Sequence, residues 1–158
     1  MKPDALKRHS LFAELSEEER EIAASLFEQR RLADGKSAFR EGSESEGLVL
    51  LEAGRLKLRS TRTNGIVGSL EAPDHLGAGS LFTLGKREVT ALADGPCTIY
   101  TLSRSALARL AEDSPRAGYR LAAAVASELA GLARKGLDPL SRRDLADVEG
   151  DEDPDSFG

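Results

Sequence analysis

A chain of 158 residues, 40% hydrophobic and 31% charged, has the length and apolar content for one folded domain with its own core and no room for a second. No apolar run approaches the roughly 20 residues of a membrane-spanning helix, and the opening MKPDALKRHS lacks the apolar stretch of a signal peptide, so no membrane contact and a cytoplasmic location are expected. The net charge of −5 is far from the strongly basic footprint of a nucleic-acid binder, and no nucleic-acid partner is expected.

Residues 1–10 read as an N-terminal arm. Ser16 followed by Glu19 has the spacing of a capping box, with Leu11, Phe12 and Leu15 upstream as a staple, and predicts a helix from about Ser16 to Arg30. Its apolar positions Ile22, Ala23, Leu26 and Phe27 recur at three- and four-residue spacing and form one buried face. From Leu32 to Leu102 the pattern changes to short apolar or alternating runs between glycine-bearing turns. LADG turns into SAFRE, LVLLEAG reads as a buried strand, and RLKLRS alternates inward Leu56 and Leu58 with outward Arg55, Lys57 and Arg59. Asn64-Gly65 is the strongest hairpin signal; IVGSL, VTALA and CTIYTL complete the strands. Gly35, Gly42, Gly54 and Gly65 stand at strand reversals that call for positive φ. Such a series predicts an antiparallel sandwich or barrel.

Helices return after the strands. Ser103 caps SRSALARLAED, and Ser114 caps a last helix with Pro115 at its first position, running to about Arg134 and ended by Gly136. Leu121, Val125, Leu129 and Leu132 make one stripe on it, flanked by Ala122, Ala126, Ala130 and Ala133; the stripe either packs on the strands or receives another helix. All 22 basic residues precede Asp144, against 20 of the 27 acidic ones. Residues 138–158 therefore read as an acidic tail, and DVEGDEDPDSFG has too few apolar side chains to offset its ordering entropy, so disorder is expected.

Enzyme chemistry finds no footing. Gly35-Lys36-Ser37 lacks the earlier glycine of a nucleoside-triphosphate loop, Arg30 standing there, and Gly77-x-Gly79 lacks the third glycine of a dinucleotide fingerprint, Phe82 standing there. With only His9 and His75, neither a cupin-type metal site nor a catalytic triad can be assembled, and no metal is expected. The single cysteine, Cys97, lies in an apolar run and reads as a buried, unreactive thiol.

LFAELSEEE, the run G-K-S-A-F-R-E-G from Gly35 to Gly42, LVLLEAGRLKL from Leu48 to Leu58, and VTALADGPCTIYTLSRSALARL from Val89 to Leu110 resemble, in order and spacing, the cyclic-nucleotide-binding domain of bacterial catabolite-activator-like regulators, kinase regulatory subunits and gated channels. The resemblance implies an α+β fold over residues 11–137: an antiparallel double-stranded β-helix of jelly-roll type, flanked by an N-terminal helix and C-terminal helices. It also implies cAMP or cGMP as ligand, held by a cassette resembling F-G-E, a few small residues, then P-R-S-A. There the glutamate accepts from the ribose hydroxyl, the arginine pairs with the phosphate, and backbone N–H groups assist.

HLGAGSLFTLGKRE departs from that motif. Leu76-Gly77 laid on F-G puts Ala78 at the glutamate's position, and counting back from Val89 and Ala91 puts the arginine's position on Gly85, with Arg87 two residues nearer the strand body. A lost charge-assisted pair and a lost acceptor each cost about 1.5–3 kcal/mol, a weakening of roughly a hundredfold to ten-thousandfold. The expectation is a non-catalytic regulatory or adaptor module with no cofactor, acting through a protein partner or a two-fold dimer of the last helix. The alternative is a sensor in which Gly77, Ala78, Gly79, Ser80, Leu81, Thr83, Lys86 and Arg87 hold cAMP, cGMP or another anion.

Overall fold

The computed structural model describes residues 1–151, with side chains as far as residue 136. Contacts divide the chain into two units, residues 1–125 and residues 126–158. The first unit opens with α1 (Pro3–Leu6), a 3-10 turn at Ser10–Phe12 and α2 (Glu17–Ala24). Strands follow as β1 (Glu28–Leu32), β2 (Ser37–Phe39), β3 (Gly47–Ala53), β4 (Arg55–Ser60), β5 (Gly65–Glu71), β6 (Asp74–Leu76), β7 (Thr90–Ala93) and β8 (Cys97–Ser103). A 3-10 turn at Ala78–Leu81 lies between β6 and β7, and α3 (Arg104–Asp113) and α4 (Pro115–Asp151) follow β8.

The strands form two antiparallel four-stranded sheets, ordered β1-β8-β3-β6 and β2-β7-β4-β5, the jelly-roll arrangement expected from the strand pattern. Their facing sides enclose one core, with Val49, Leu51 and Ile99 from the first sheet against Leu56, Ala91 and Ala93 from the second. A second core lies on the other face of the first sheet, where Leu48, Leu50 and Leu102 meet Leu6, Phe12, Leu110, Leu121 and Val125. Strand β3 is thus covered on both faces. That accounts for LVLL being a continuous apolar run while RLKLRS on β4 alternates.

The capping box forms as read: Glu19 N–H donates to Ser16 Oγ at 3.2 Å and Ser16 N–H to Glu19 Oε1 at 3.4 Å. The helix it starts is shorter than expected, ending at Ala24 instead of reaching Arg30. Ser25 Oγ donates to the Ile22 carbonyl at 2.7 Å, and Phe27 turns edge-on to Phe12 with ring centroids 5.5 Å apart. The next five residues, EQRRL, become β1 because β8 offers an open edge; helix spacing in Ile22, Leu26 and Phe27 is overridden by tertiary packing. Gly35, Gly42 and Gly54 have φ of +79°, +82° and +92°, as their reversals demand, but at the β4–β5 hairpin Asn64 takes the positive φ, +54°, instead of Gly65.

Helix α3 is capped by Ser103, which accepts from Ala106 N–H at 3.1 Å, and Ser114 Oγ accepts from Ala117 N–H at 3.3 Å ahead of Pro115. Gly136 does not end α4, which continues to Asp151: an interior glycine among good helix formers costs only about 1 kcal/mol. Of the tail expected to be disordered, residues 138–151 belong to α4 and residues 152–158 lie outside the described residues. Among the described residues no helix is long and apolar enough to cross a membrane.

Residues 1–10 are folded against the rest of the first unit, with Leu6 and His9 buried. His9 Nε2 stands 2.7 Å from Glu52 Oε2, and Arg8 Nη1 donates to Glu52 Oε1 at 3.0 Å, so one carboxylate at the end of β3 ties down the arm. Glu52→Ala strands the buried imidazole and is expected to cost about 1–3 kcal/mol in urea unfolding. Glu52→Gln, which keeps an acceptor, is expected to lose less; equal losses would contradict the tie.

Candidate functional site

The segment from Leu76 to Arg87 is built from the backbone outward. Gly77 follows β6 with φ +75°, and a Cβ there would overlap the Arg87 guanidinium, so only glycine combines the turn with this approach. The 3-10 turn Ala78–Leu81 comes next. Ala78 and Leu81 are buried, both in the core shared with the helices, so the Ala78 methyl belongs to packing. The buried Ser80 hydroxyl lies 2.6 Å from the Gly47 carbonyl oxygen and 2.5 Å from that of Gly77, and its proton is spent there. Gly79 is half-buried, while Thr83 and Lys86 are exposed; Thr83 Oγ1 donates to the Gly79 carbonyl at 3.1 Å.

Arg87 is brought to the cassette, in contrast to the parity count that left it near the strand body. Strand β7 begins only at Thr90, and residues 85–87 instead pair with the β2–β3 loop. Ser45 N–H donates to Gly85 O, Arg87 N–H to Ser43 O and Gly42 N–H to Arg87 O, each at 2.8 Å. That clamp points the guanidinium inward: Nη2 donates to Gly47 O at 2.8 Å, and Cζ sits 4.3 Å from the centroid of the Phe39 ring. Gly85, where the count put the family's arginine, is exposed in the turn. Burial pulls the Arg87 pKa below the usual guanidinium value, and Glu46 opposes that pull. Its Nε is buried with no hydrogen-bond partner among the described residues.

A cavity of about 120 Å³ lies beside Arg87, between Glu46, Gly47, Val49 and Thr101. Small-molecule sites usually run to roughly 300 Å³ or more. The cassette is held from the helix side by Arg104, whose Nη1 donates to the carbonyls of Ser45 at 2.8 Å and Ser80 at 3.0 Å. Arg104 was not singled out in the sequence, yet a signal was present: a cation as the first residue of a helix opposes the macrodipole and so needs another partner.

The roll and its flanking helices are matched in known proteins. Residues 29–114 match the cyclic nucleotide-binding domain. The chain belongs to the cyclic nucleotide-binding domain family. It is 31% identical over 127 residues to the Cyclic AMP receptor protein of Thermus thermophilus, covering 78% of this chain and 59% of that relative, so it spans little more than half of the relative's length. The crystal structure of the Thermus thermophilus catabolite activator protein superposes with a TM-score of 0.70 at 30% identity, over 84% of this chain and 63% of that one. The N-terminal domain of a transcriptional regulator from Streptomyces coelicolor superposes with a TM-score of 0.74 at 27% identity, over 82% and 94%. By name these similar proteins are a receptor protein, a catabolite activator and a transcriptional regulator.

Outside the cassette, His75 lies half-buried on β6, and Cys97 is buried in the roll, where desolvation raises its thiol pKa. Among the described residues no three or more His, Cys, Asp and Glu side chains gather as a metal site. The apolar stripe of α4 divides. Leu121 and Val125 are buried in the helix-side core of the first unit, to which the start of α4 belongs, and are not available as an interface, whereas Leu129 and Leu132 are 46% and 58% exposed.

Arg104→Ala removes the donor shared by Ser45 and Ser80. Amide exchange in residues 78–83 is expected to accelerate several-fold while the exchange of β3 and β8 stays slow; unchanged protection of the cassette would contradict the clamp.

Proposed function

We propose that this cyclic nucleotide-binding domain is a non-catalytic regulatory module that works by protein contact and does not take cAMP or cGMP in the family's usual way. The observation that carries the reading is Ala78. Its buried methyl occupies the position where the family's motif has a glutamate, and the nearest hydroxyl, on Ser80, is already committed to backbone carbonyls. A ribose hydroxyl brought to this turn finds no carboxylate to accept its proton. Arg87, two residues past the position of the motif's arginine, is occupied by the Gly47 carbonyl and the Phe39 ring.

The contact surface in this reading is the exposed part of the α4 stripe at Leu129 and Leu132, where a second copy can pack about a two-fold axis. A protein partner suits the near balance of charge before Asp144, with 22 basic residues against 20 of the 27 acidic ones. One observation favours a second reading, a sensor of some other small anion: the partly buried Arg87 keeps Nε unpartnered next to the Gly77 turn.

Calorimetry separates the two. Neither cAMP nor cGMP is expected to bind the full chain at submillimolar concentration, and a submicromolar Kd for either overturns the proposal. Ala78→Glu is expected to create no binding and to destabilise by several kcal/mol, since it drives a carboxylate into an apolar core. For the contact surface, sedimentation of the full chain is expected to show a dimer that Leu129→Glu with Leu132→Glu converts to a monomer of unchanged melting temperature. A monomeric parent protein would remove α4 as the two-fold interface.

A further inference from the structure

The outer face of the β2-β7-β4-β5 sheet is remote in role from the cassette. On it, side chains at alternate positions of β4 point away from the core, and register sets them beside β7 and β2: Arg59 lies across from Thr90, and Leu92 lies between Lys57 and Ser37. Two cations on this face are matched. Arg55 pairs with Glu71, and Lys57 Nζ lies 3.3 Å from Asp94 Oδ1. Lys36, Arg40 and Arg59 break the pattern: all three are exposed and none has a carboxylate partner among the described residues.

These three cations line one groove of about 450 Å³, floored by Leu92 and edged by Ser37 and Thr90, with no acidic side chain in its lining. The nearest acid in sequence, Glu41, is committed elsewhere: Thr61 Oγ1 donates to its Oε2 at 2.6 Å and Ser60 Oγ to its Oε1 at 3.4 Å. Glu41 N–H in turn donates to Thr90 Oγ1 at 2.9 Å, which leaves the Thr90 hydroxyl proton free to donate into the groove. The rim is fixed by backbone. Gly35 N–H donates to Ala93 O at 2.9 Å and Ala93 N–H to Lys36 O at 2.8 Å, so the turn bearing Lys36 is stitched to β7.

We propose that this groove binds a small ligand carrying two or more phosphate groups. Three like charges around one concavity repel one another, and a polyanion converts that repulsion into attraction. Two guanidinium forks match tetrahedral phosphate oxygens better than an ammonium alone does. A single phosphate would leave cations unmatched, whereas a di- or triphosphate reaches all three. The groove volume is within the range of small-molecule sites, and Leu92 offers an apolar floor for whatever the phosphates carry.

The test uses the full chain titrated with inorganic tripolyphosphate and, in parallel, with adenosine triphosphate, near physiological ionic strength, followed by amide chemical shifts and calorimetry. Saturable one-to-one binding is expected, with shifts centred on Ser37, Thr90 and Leu92. Arg40→Ser with Arg59→Ser should weaken it by about tenfold or more, and Lys36→Gln should weaken it less, both at unchanged melting temperature because the three side chains are exposed. Arg87→Ser should leave it unaltered. Equal affinity for the two probes assigns recognition to the phosphates alone, and tighter binding of adenosine triphosphate adds the nucleoside. Binding that fails to saturate, that survives the Arg40 and Arg59 substitutions, or that disappears with Arg87→Ser overturns the proposal, and the last result would return the anion to the cassette.

Discussion

The cassette is organised around one backbone group, the carbonyl of Gly47. It accepts from Arg87 Nη2 at 2.8 Å and lies 2.6 Å from Ser80 Oγ, so the 3-10 turn and the far end of the Gly77–Arg87 segment are both fastened to the first residue of β3. That residue must be glycine, because a Cβ would overlap the carbonyl oxygen of Leu102 on β8, and its φ of +150° lies where other residues are strained. Close approach of β3 to β8, the seating of the turn and the inward aim of Arg87 are therefore one constraint seen from three sides. Arg104 adds a fourth by gripping Ser80 and Ser45 from α3.

On the reading proposed above, this arrangement is what keeps a family scaffold without its usual ligand chemistry. Carbonyls and hydroxyls near the turn are the groups that a ligand brought there would meet. Here they face one another: Ser80 turns to Gly47 and Gly77, Thr83 to Gly79, and Arg87 to Gly47 and Phe39. Buried polar groups satisfied within the protein gain little from exchanging one partner for another. A ligand would have to replace these bonds and supply more, and Ala78 gives its sugar no acceptor.

What was legible in the sequence follows the range of the interactions involved. Caps at Ser16, Ser103 and Ser114 are local, depending on residues within three positions, and each formed as read. The strands with alternating or continuous apolar runs were legible because burial on one face or two imposes that pattern. β1 was not, since EQRRL is an edge strand whose outward residues are polar and whose place is decided by β8, more than 60 residues away in sequence. Arg87 was misplaced for a related reason. Counting parity back from Val89 assumes an unbroken strand, but residues 85–87 leave β7 to pair with residues 42–45. The family resemblance carried the fold across these gaps, because it encodes long-range pairing that periodicity does not. His9 and Glu52, 43 residues apart, carried no local signal at all.

The α4 stripe shows how one sequence pattern serves two ends. Leu121, Val125, Leu129 and Leu132 recur at spacings of four, four and three, so a continuous helix presents them along one side. Treating the stripe as a unit forces a choice between packing on the roll and meeting a partner. Burial shows that the choice is made in succession along the axis: Leu121 and Val125 are covered in the helix-side core, while Leu129 and Leu132, one and two turns further on, are open. Gly118 makes the covered part possible by letting the helix approach Ala111, where a Cβ would stand 3.1 Å from both the Cα and Cβ of that residue. The apolar period runs on past the last core contact. Leucines that keep the register of a buried stripe while open to water among the described residues are the feature on which the proposed contact surface rests.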